Sequence, residues 1–172
     1  MIPSATLPRG RYAGSMITTT NTSLALAYVP IPNEIAAEAR RTLRDRFGHQ
    51  LAVARNQGPC RSCLRISKAP EDLILLSYQP LPDRNPYAEI GPIFIHAHEC
   101  TPYDSPDFPA DFLEREVVVR AYNLEGRIAD ATVAAPGEAQ RAAADFLRDA
   151  DIAEVHLRAR SYTCFYFKVV RA

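Results

Sequence analysis

The sequence of 172 residues has no tryptophan, two methionines and four cysteines, and its twenty basic residues balance twenty acidic ones. Zero net charge gives the chain no general attraction to nucleic acid or to an acidic membrane surface. No apolar run approaches the roughly 20 residues that a membrane-spanning helix needs. We therefore expect no nucleic-acid partner and no membrane anchor.

Several motifs with a known chemistry are missing as well. The chain has no glycine-rich phosphate loop, no Gly-x-Ser-x-Gly nucleophile elbow and no His-Glu-x-x-His metalloprotease helix. A secretory signal is not expected, since the apolar stretch 24–31 is followed at once by a charged helix rather than by a small-residue cleavage site. We expect a cytoplasmic protein, in a compartment that disfavours structural disulfides, and whether it is an enzyme stays open.

Proline is plentiful, at fourteen positions, and short apolar segments alternate with turn signals. The apolar patterns predict helices from Asn33 to Gly48 and from Pro136 to Asp149. Strands are predicted over residues 24–31, 72–78, 90–98, 116–122, 127–133, 152–160 and 163–170. The predicted fold class is α+β, with a mainly antiparallel sheet of about seven strands and two principal helices.

The domain organisation is predicted from length and from a change in composition. Residues 1–21 are rich in serine, threonine and proline, which predicts a disordered or loosely ordered N-terminal tail, with Met16 a candidate natural start. Residues 22–172 suit one α+β domain.

Histidine and arginine side chains alternate along three of the predicted strands. His96 and His98 share one strand face, Arg120 lies on a second strand, and His156 and Arg158 share a face of a third. If these faces are neighbours, they form a pocket for a small anionic molecule, because guanidinium groups match carboxylate or phosphate. The alternative is the solvent side of a one-sided antiparallel sheet.

Within such a pocket the residue types suggest roles. Arg61, Arg120 and Arg158 are candidate substrate-binding residues, and His96 and His156 are candidate catalytic residues because imidazole exchanges protons near neutral pH.

The cysteines suggest a different chemistry. Cys60 and Cys63, in the stretch GPCRSCLRIS, have the spacing of half a zinc knuckle. No second Cys-x-x-Cys follows, but Cys100 with either His96 or His98 would supply a complete ligand set, with zinc as the implied cofactor.

Two other interpretations of the cysteines stay open. A redox pair would normally open a long helix, whereas a proline and a strand follow this motif. Buried reduced cysteines that only pack are the simplest interpretation. The functional alternatives to an anion pocket are thus a zinc-stabilised protein-interaction module that uses Cys60, Cys63 and Cys100, and a redox-responsive thiol protein.

Five segments of the chain resemble, in order, the blocks of a known family: GPCRSCLRIS, LILLSYQPLP, NPYAEIGPIFIHAHEC, RAYNLEGRIADA and EVHLRARSYTCFYFKVVRA. The family is the uncharacterised bacterial domain of unknown function 1203. The resemblance covers the chain from about Leu24 to its end and implies a single α+β domain in the bacterial cytoplasm, with no established reaction, cofactor or catalytic residue. Its blocks include Tyr87, which joins the candidate substrate-binding residues.

Overall fold

The computed structural model describes residues 24–82 and 85–172, so the predicted N-terminal tail and Met16 lie outside the described residues. The elements follow in the order β1 (Leu26–Val29), α1 (Asn33–Thr42), β2 (Val53–Asn56), β3 (Glu71–Tyr78), β4 (Gly91–His96), a 3-10 turn (Ala110–Phe112), β5 (Val117–Asn123), β6 (Ile128–Ala134), α2 (Ala139–Leu147), β7 (Ile152–Ala159) and β8 (Phe165–Arg171). The predicted α+β class is confirmed. No helix in these two ranges is long and apolar enough to cross a bilayer.

The strands form two antiparallel sheets, one of five strands in the order β1-β8-β7-β5-β6 and one of three in the order β2-β3-β4. The predicted hairpin of β5 and β6 is present, and Gly126 takes a φ of 72° in its turn. Pro92 lies in β4, an edge strand of the small sheet, where its missing N–H costs no ladder hydrogen bond. Strand β2 is present in the structure but was not among the predicted strands.

Each sheet buries one hydrophobic core. Helix α2 covers one face of the five-stranded sheet, where Ala143 and Leu147 join a cluster with Val119, Leu157 and Phe167. A second cluster lies between α1 and the three-stranded sheet and consists of Ile31, Ala36, Ala39, Leu51, Cys60, Cys63, Ile74, Leu76, Tyr78, Ile93, Ile95 and Phe165. The paired thiols of the Cys-x-x-Cys motif therefore belong to the core of the small sheet.

The first helix is shorter than its sequence predicts, and its expected end at Gly48 is wrong. Leu43 adopts a left-handed φ of 48° and closes the helix with an N–H bond to the carbonyl of Ala39. The Asp45 carboxylate then accepts the backbone N–H groups of Phe47, His49 and Ser77. This turn against β3 draws the chain away from the helix axis, so Phe47 lies beyond the end of α1.

Phe112 is one of the largest fully buried side chains of the large core. Its ring is fully buried and meets Tyr166 and Phe167 edge to face, at centroid distances of 4.8 and 5.2 Å. We expect Phe112→Ala to lower the free energy of unfolding by about 3–5 kcal/mol in urea titration. The matched control Leu113→Ala, at a side chain that is 42% exposed, should cost less than about 1 kcal/mol, and equal losses would contradict this packing.

Candidate metal centre

The Cys-x-x-Cys motif lies on a tight loop that folds back on itself. The N–H of Cys60 donates to the carbonyl of Arg65 at 2.9 Å, and the N–H of Leu64 donates to the carbonyl of Cys60 at 3.0 Å. Leu64 closes the turn with a left-handed φ of 54°. Both thiols are buried as a result.

Strand β4 supplies the other half of the centre. A parallel bridge aligns Cys60 with Phe94, and the N–H of Arg61 donates to the carbonyl of Phe94 at 2.9 Å. His96 ends β4 two residues further on, and its N–H points at the Cys60 sulfur over 3.4 Å. Cys100 follows on the loop after the strand.

Four potential ligand atoms converge at this point. The sulfurs of Cys60, Cys63 and Cys100 and a ring nitrogen of His96 all lie within 4.8 Å of one another. Cys60 Sγ is 3.8 Å from Cys100 Sγ, and Cys63 Sγ is 3.5 Å from His96 Nδ1. The structure thus brings together the four residues that the sequence suggested as metal ligands, and the set is consistent with metal binding.

Hydrogen bonds make one of the three thiols acidic. The sulfur of Cys60 accepts hydrogen bonds from the thiol of Cys63 and from the backbone N–H groups of Cys63, His96 and Ser62. These hydrogen bonds favour the ionised form more than burial disfavours it, so they lower the pKa of Cys60 to about 4. The pKa of Cys63 is raised by the same hydrogen bond and by burial. Burial and the neighbouring Cys60 raise the pKa of Cys100. A bound cation would favour the ionised form of all three thiols, because cysteine binds a metal as the thiolate.

Two charged residues contact the ligands from outside. Glu71 Oε2 lies 3.1 Å from His96 Nε2, so a proton shared by these atoms leaves the Nδ1 lone pair free for a metal. Arg40, on α1, donates from Nη2 to Cys100 Sγ at 3.4 Å and from Nε to the carbonyl of His96 at 3.0 Å. His98 stacks on His96, with ring centroids 4.9 Å apart, and is not a member of the four-ligand cluster.

Arg120 and Arg158 lie elsewhere, on the five-stranded sheet, and share one carboxylate. Glu89, from the irregular segment before β4, accepts from Arg120 Nη1 at 2.7 Å and from Arg158 Nη1 at 2.6 Å. Burial alone would raise the pKa of Glu89, but the two guanidinium groups hold it below its ordinary value. Sequence reasoning missed Glu89.

His156 lies on β7 of the five-stranded sheet, outside the four-ligand cluster, and is fully buried. Its Nε2 lies 2.7 Å from Glu154 Oε1, while Lys168 Nζ meets the other oxygen of that carboxylate at 3.0 Å. Burial lowers the pKa of His156 despite the carboxylate beside it. His156 pairs with Arg120 across β5 and β7, so it shares a sheet face with the arginine pair.

The two remaining predicted substrate-binding residues are Arg61, on the Cys-x-x-Cys loop itself, and Tyr87, two residues before Glu89. Arg61 is buried and donates to the backbone carbonyls of Phe165 at 2.8 Å and Pro59 at 2.6 Å. Tyr87 lines a cleft of about 730 Å³ together with Tyr122. The predicted residues thus fall into two groups: His96 lies in the cysteine cluster, whereas His156, Arg120 and Arg158 share a face of the five-stranded sheet.

Comparison with family models matches residues 57–171 to a family described as a protein of unknown function (DUF1203). The chain belongs to this family. Comparison with curated proteins gives no match, and neither does comparison with solved structures.

The contacts of Glu89 with Arg120 and Arg158 should make the protein less stable as the pH falls into the acid range. The pKa of Glu89 is lower in the folded protein than its ordinary value of 4.5. The contribution of the ionised carboxylate to the free energy of unfolding is therefore fully present above pH 4.5, and it is lost as the pH falls through the lowered pKa. We expect Glu89→Gln to cost about 1 kcal/mol of unfolding free energy near pH 7, and less at pH values below that pKa.

Urea titrations of wild type and variant across this pH range measure the difference. The matched control Glu116→Gln, at an exposed carboxylate that meets Arg160, should change stability by less than about 0.5 kcal/mol throughout. A Glu89 effect that is constant from pH 7 to acid would contradict the prediction.

Proposed function

We propose that this member of the DUF1203 family binds one zinc ion through Cys60, Cys63, His96 and Cys100 and that the ion has a structural role. The observation that supports the proposal is the pair of distances between ligand atoms, 3.8 Å between the sulfurs of Cys60 and Cys100 and 3.5 Å between Cys63 Sγ and His96 Nδ1.

These separations are those of a tetrahedral zinc site. Zinc binds thiolate at about 2.3 Å and imidazole at about 2.0–2.1 Å. Tetrahedral angles at those lengths place two sulfurs about 3.8 Å apart and a sulfur and a nitrogen about 3.5 Å apart. Two of the separations within the cluster thus match a tetrahedral site, and the remaining ones, which reach at most 4.8 Å, would close to about 3.8 Å or less on binding.

The ligand set favours a structural role over a catalytic one. Four protein ligands complete the tetrahedron, whereas catalytic zinc sites keep one position for water or substrate. The ion ties the Cys-x-x-Cys loop to the end of β4 and to the loop that carries Cys100. In this role the chain is a zinc-stabilised module that acts by presenting a surface to another protein.

The surrounding charges fit such an ion. Three thiolates and Zn²⁺ carry a net charge of minus one, and the guanidinium of Arg40 lies against Cys100 to offset it. Glu71 orients the His96 ring through Nε2, which is the usual outer contact of a zinc-bound histidine.

A redox response is the second candidate function, favoured by the same 3.8 Å separation of two sulfurs and by the lowered pKa of Cys60. Hydrogen peroxide would take two electrons from the Cys60 thiolate and the Cys100 thiol and, with the thiol proton and one proton from solvent, leave as two water molecules. The product would be a Cys60–Cys100 disulfide, which can no longer bind a metal through these two sulfurs. Mass measurement with and without reductant separates the two candidates, since a zinc-loaded protein keeps all its thiols.

Metal analysis of protein purified without added zinc tests the first candidate. We expect about one zinc per chain, lost in Cys100→Ser and retained in Cys164→Ser, because Cys164 lies outside the cluster. A zinc content near zero, with all thiols freely titratable after denaturation, would refute the proposal.

The outer contact of His96 gives a finer test. Glu71→Ala should weaken zinc binding by about 10–100-fold in competition with a chromogenic chelator, because the imidazole loses its orienting carboxylate. The neighbouring Asp72→Ala, which removes an exposed carboxylate 3.7 Å from Arg55, is the matched control and should leave the affinity unchanged. Equal zinc affinities in both variants would show that Glu71 does not orient the His96 ligand.

A further inference from the structure

We propose that Arg120 and Arg158 form a second binding site, for the carboxylate group of a small organic acid, and that Glu89 occupies this site as an internal ligand. The site is independent of the zinc centre, because the two arginines lie on β5 and β7 of the five-stranded sheet.

The two guanidinium groups are held firmly by the fold. Their strands are adjacent in the middle of the sheet, and the side chains are only 16% and 4% exposed. Arg120 Nη1 is also 3.3 Å from the Tyr122 hydroxyl, and Arg158 Nη1 donates to the carbonyl of Thr163 at 2.9 Å. A carboxylate that enters finds its donors already in position, which lowers the entropy cost of binding.

The present occupant is less constrained than its donors. Glu89 belongs to the irregular segment between β3 and β4, and its side chain is 47% exposed. The adjacent Ile90 is 54% exposed. The carboxylate thus reaches buried donors from the solvent side, the direction from which a dissolved carboxylate would arrive.

The arginine pair has more donor capacity than Glu89 uses. Arg158 Nε is buried and has no acceptor among the residues that the structure describes. A buried donor without a partner is costly, and a guanidinium commonly donates two parallel bonds to one carboxylate. A ligand carboxylate that sits closer to Nε than Glu89 does would satisfy this group.

The cleft beside Arg158, which Arg120 does not line, defines the rest of the ligand. Its volume is about 270 Å³, and Glu89 and Arg158 line it together with Tyr78, Pro92 and Phe165. Such a space is below the roughly 300–1,000 Å³ of drug-sized pockets, and its ring-bearing walls suit an apolar body. The ligand class is therefore a small carboxylic acid with an apolar body, about the size of benzoate.

Calorimetric titration with benzoate tests the site in the full-length protein. We expect Glu89→Ala to bind benzoate at least about tenfold more tightly than wild type, because the internal competitor is gone. The matched control Glu116→Ala, which frees the exposed Arg160 instead, should behave as wild type. Adding Arg120→Gln to Glu89→Ala should abolish the gain.

Two comparison ligands fix the chemical class. Neutral benzamide should not bind, and inorganic phosphate should bind more weakly than benzoate. Tighter binding of phosphate, equal benzoate affinities for wild type and Glu89→Ala, or no binding to a folded Glu89→Ala would each overturn the proposal.

A measurement on wild type keeps the test decisive if the variant does not fold. Benzoate should shift the side-chain Nε–Hε resonance of Arg158 in nitrogen–proton correlation spectra and leave that of Arg160 in place. Unchanged Arg158 resonances at saturating benzoate would overturn the proposal.

Discussion

The docking of the Cys-x-x-Cys loop against β4 is the interaction on which the rest of the structure depends. Arg61 holds this loop in place through hydrogen bonds of both its main chain and its side chain. Its N–H bonds to Phe94 in the small sheet, and its buried guanidinium bonds to the carbonyl of Phe165 in the large sheet. A buried cation is tolerated only with such acceptors. One residue therefore joins the loop to both sheets and places Cys60 beside His96.

Much of the fold could be predicted from local patterns. Alternating apolar residues marked the strands, and Asn-Leu-Glu-Gly marked the turn of the β5–β6 hairpin. The end of α1 could not be predicted, because it depends on the contact of Asp45 with Ser77, 32 residues away in the chain. Strand β2 escaped prediction because its four residues are all exposed and carry no apolar periodicity.

Only those residues of the candidate site could be predicted whose side-chain type is itself typical of a metal ligand. Thiols and an imidazole suggested the four ligands before any geometry was known. Glu71 and Arg40 carry no such signal, because their roles arise from β3 and α1 packing beside the cluster. Side-chain alternation could not separate His96 from His156 either, since it gives the face of a strand and not the sheet to which that strand belongs.

The central claim is that three sulfurs and one nitrogen bind a single zinc ion. X-ray absorption at the zinc edge of the purified protein measures that coordination shell directly. We predict three sulfur scatterers at about 2.3 Å and one nitrogen at about 2.0–2.1 Å. A shell of oxygen and nitrogen alone, or protein with no zinc edge at all, would contradict the claim.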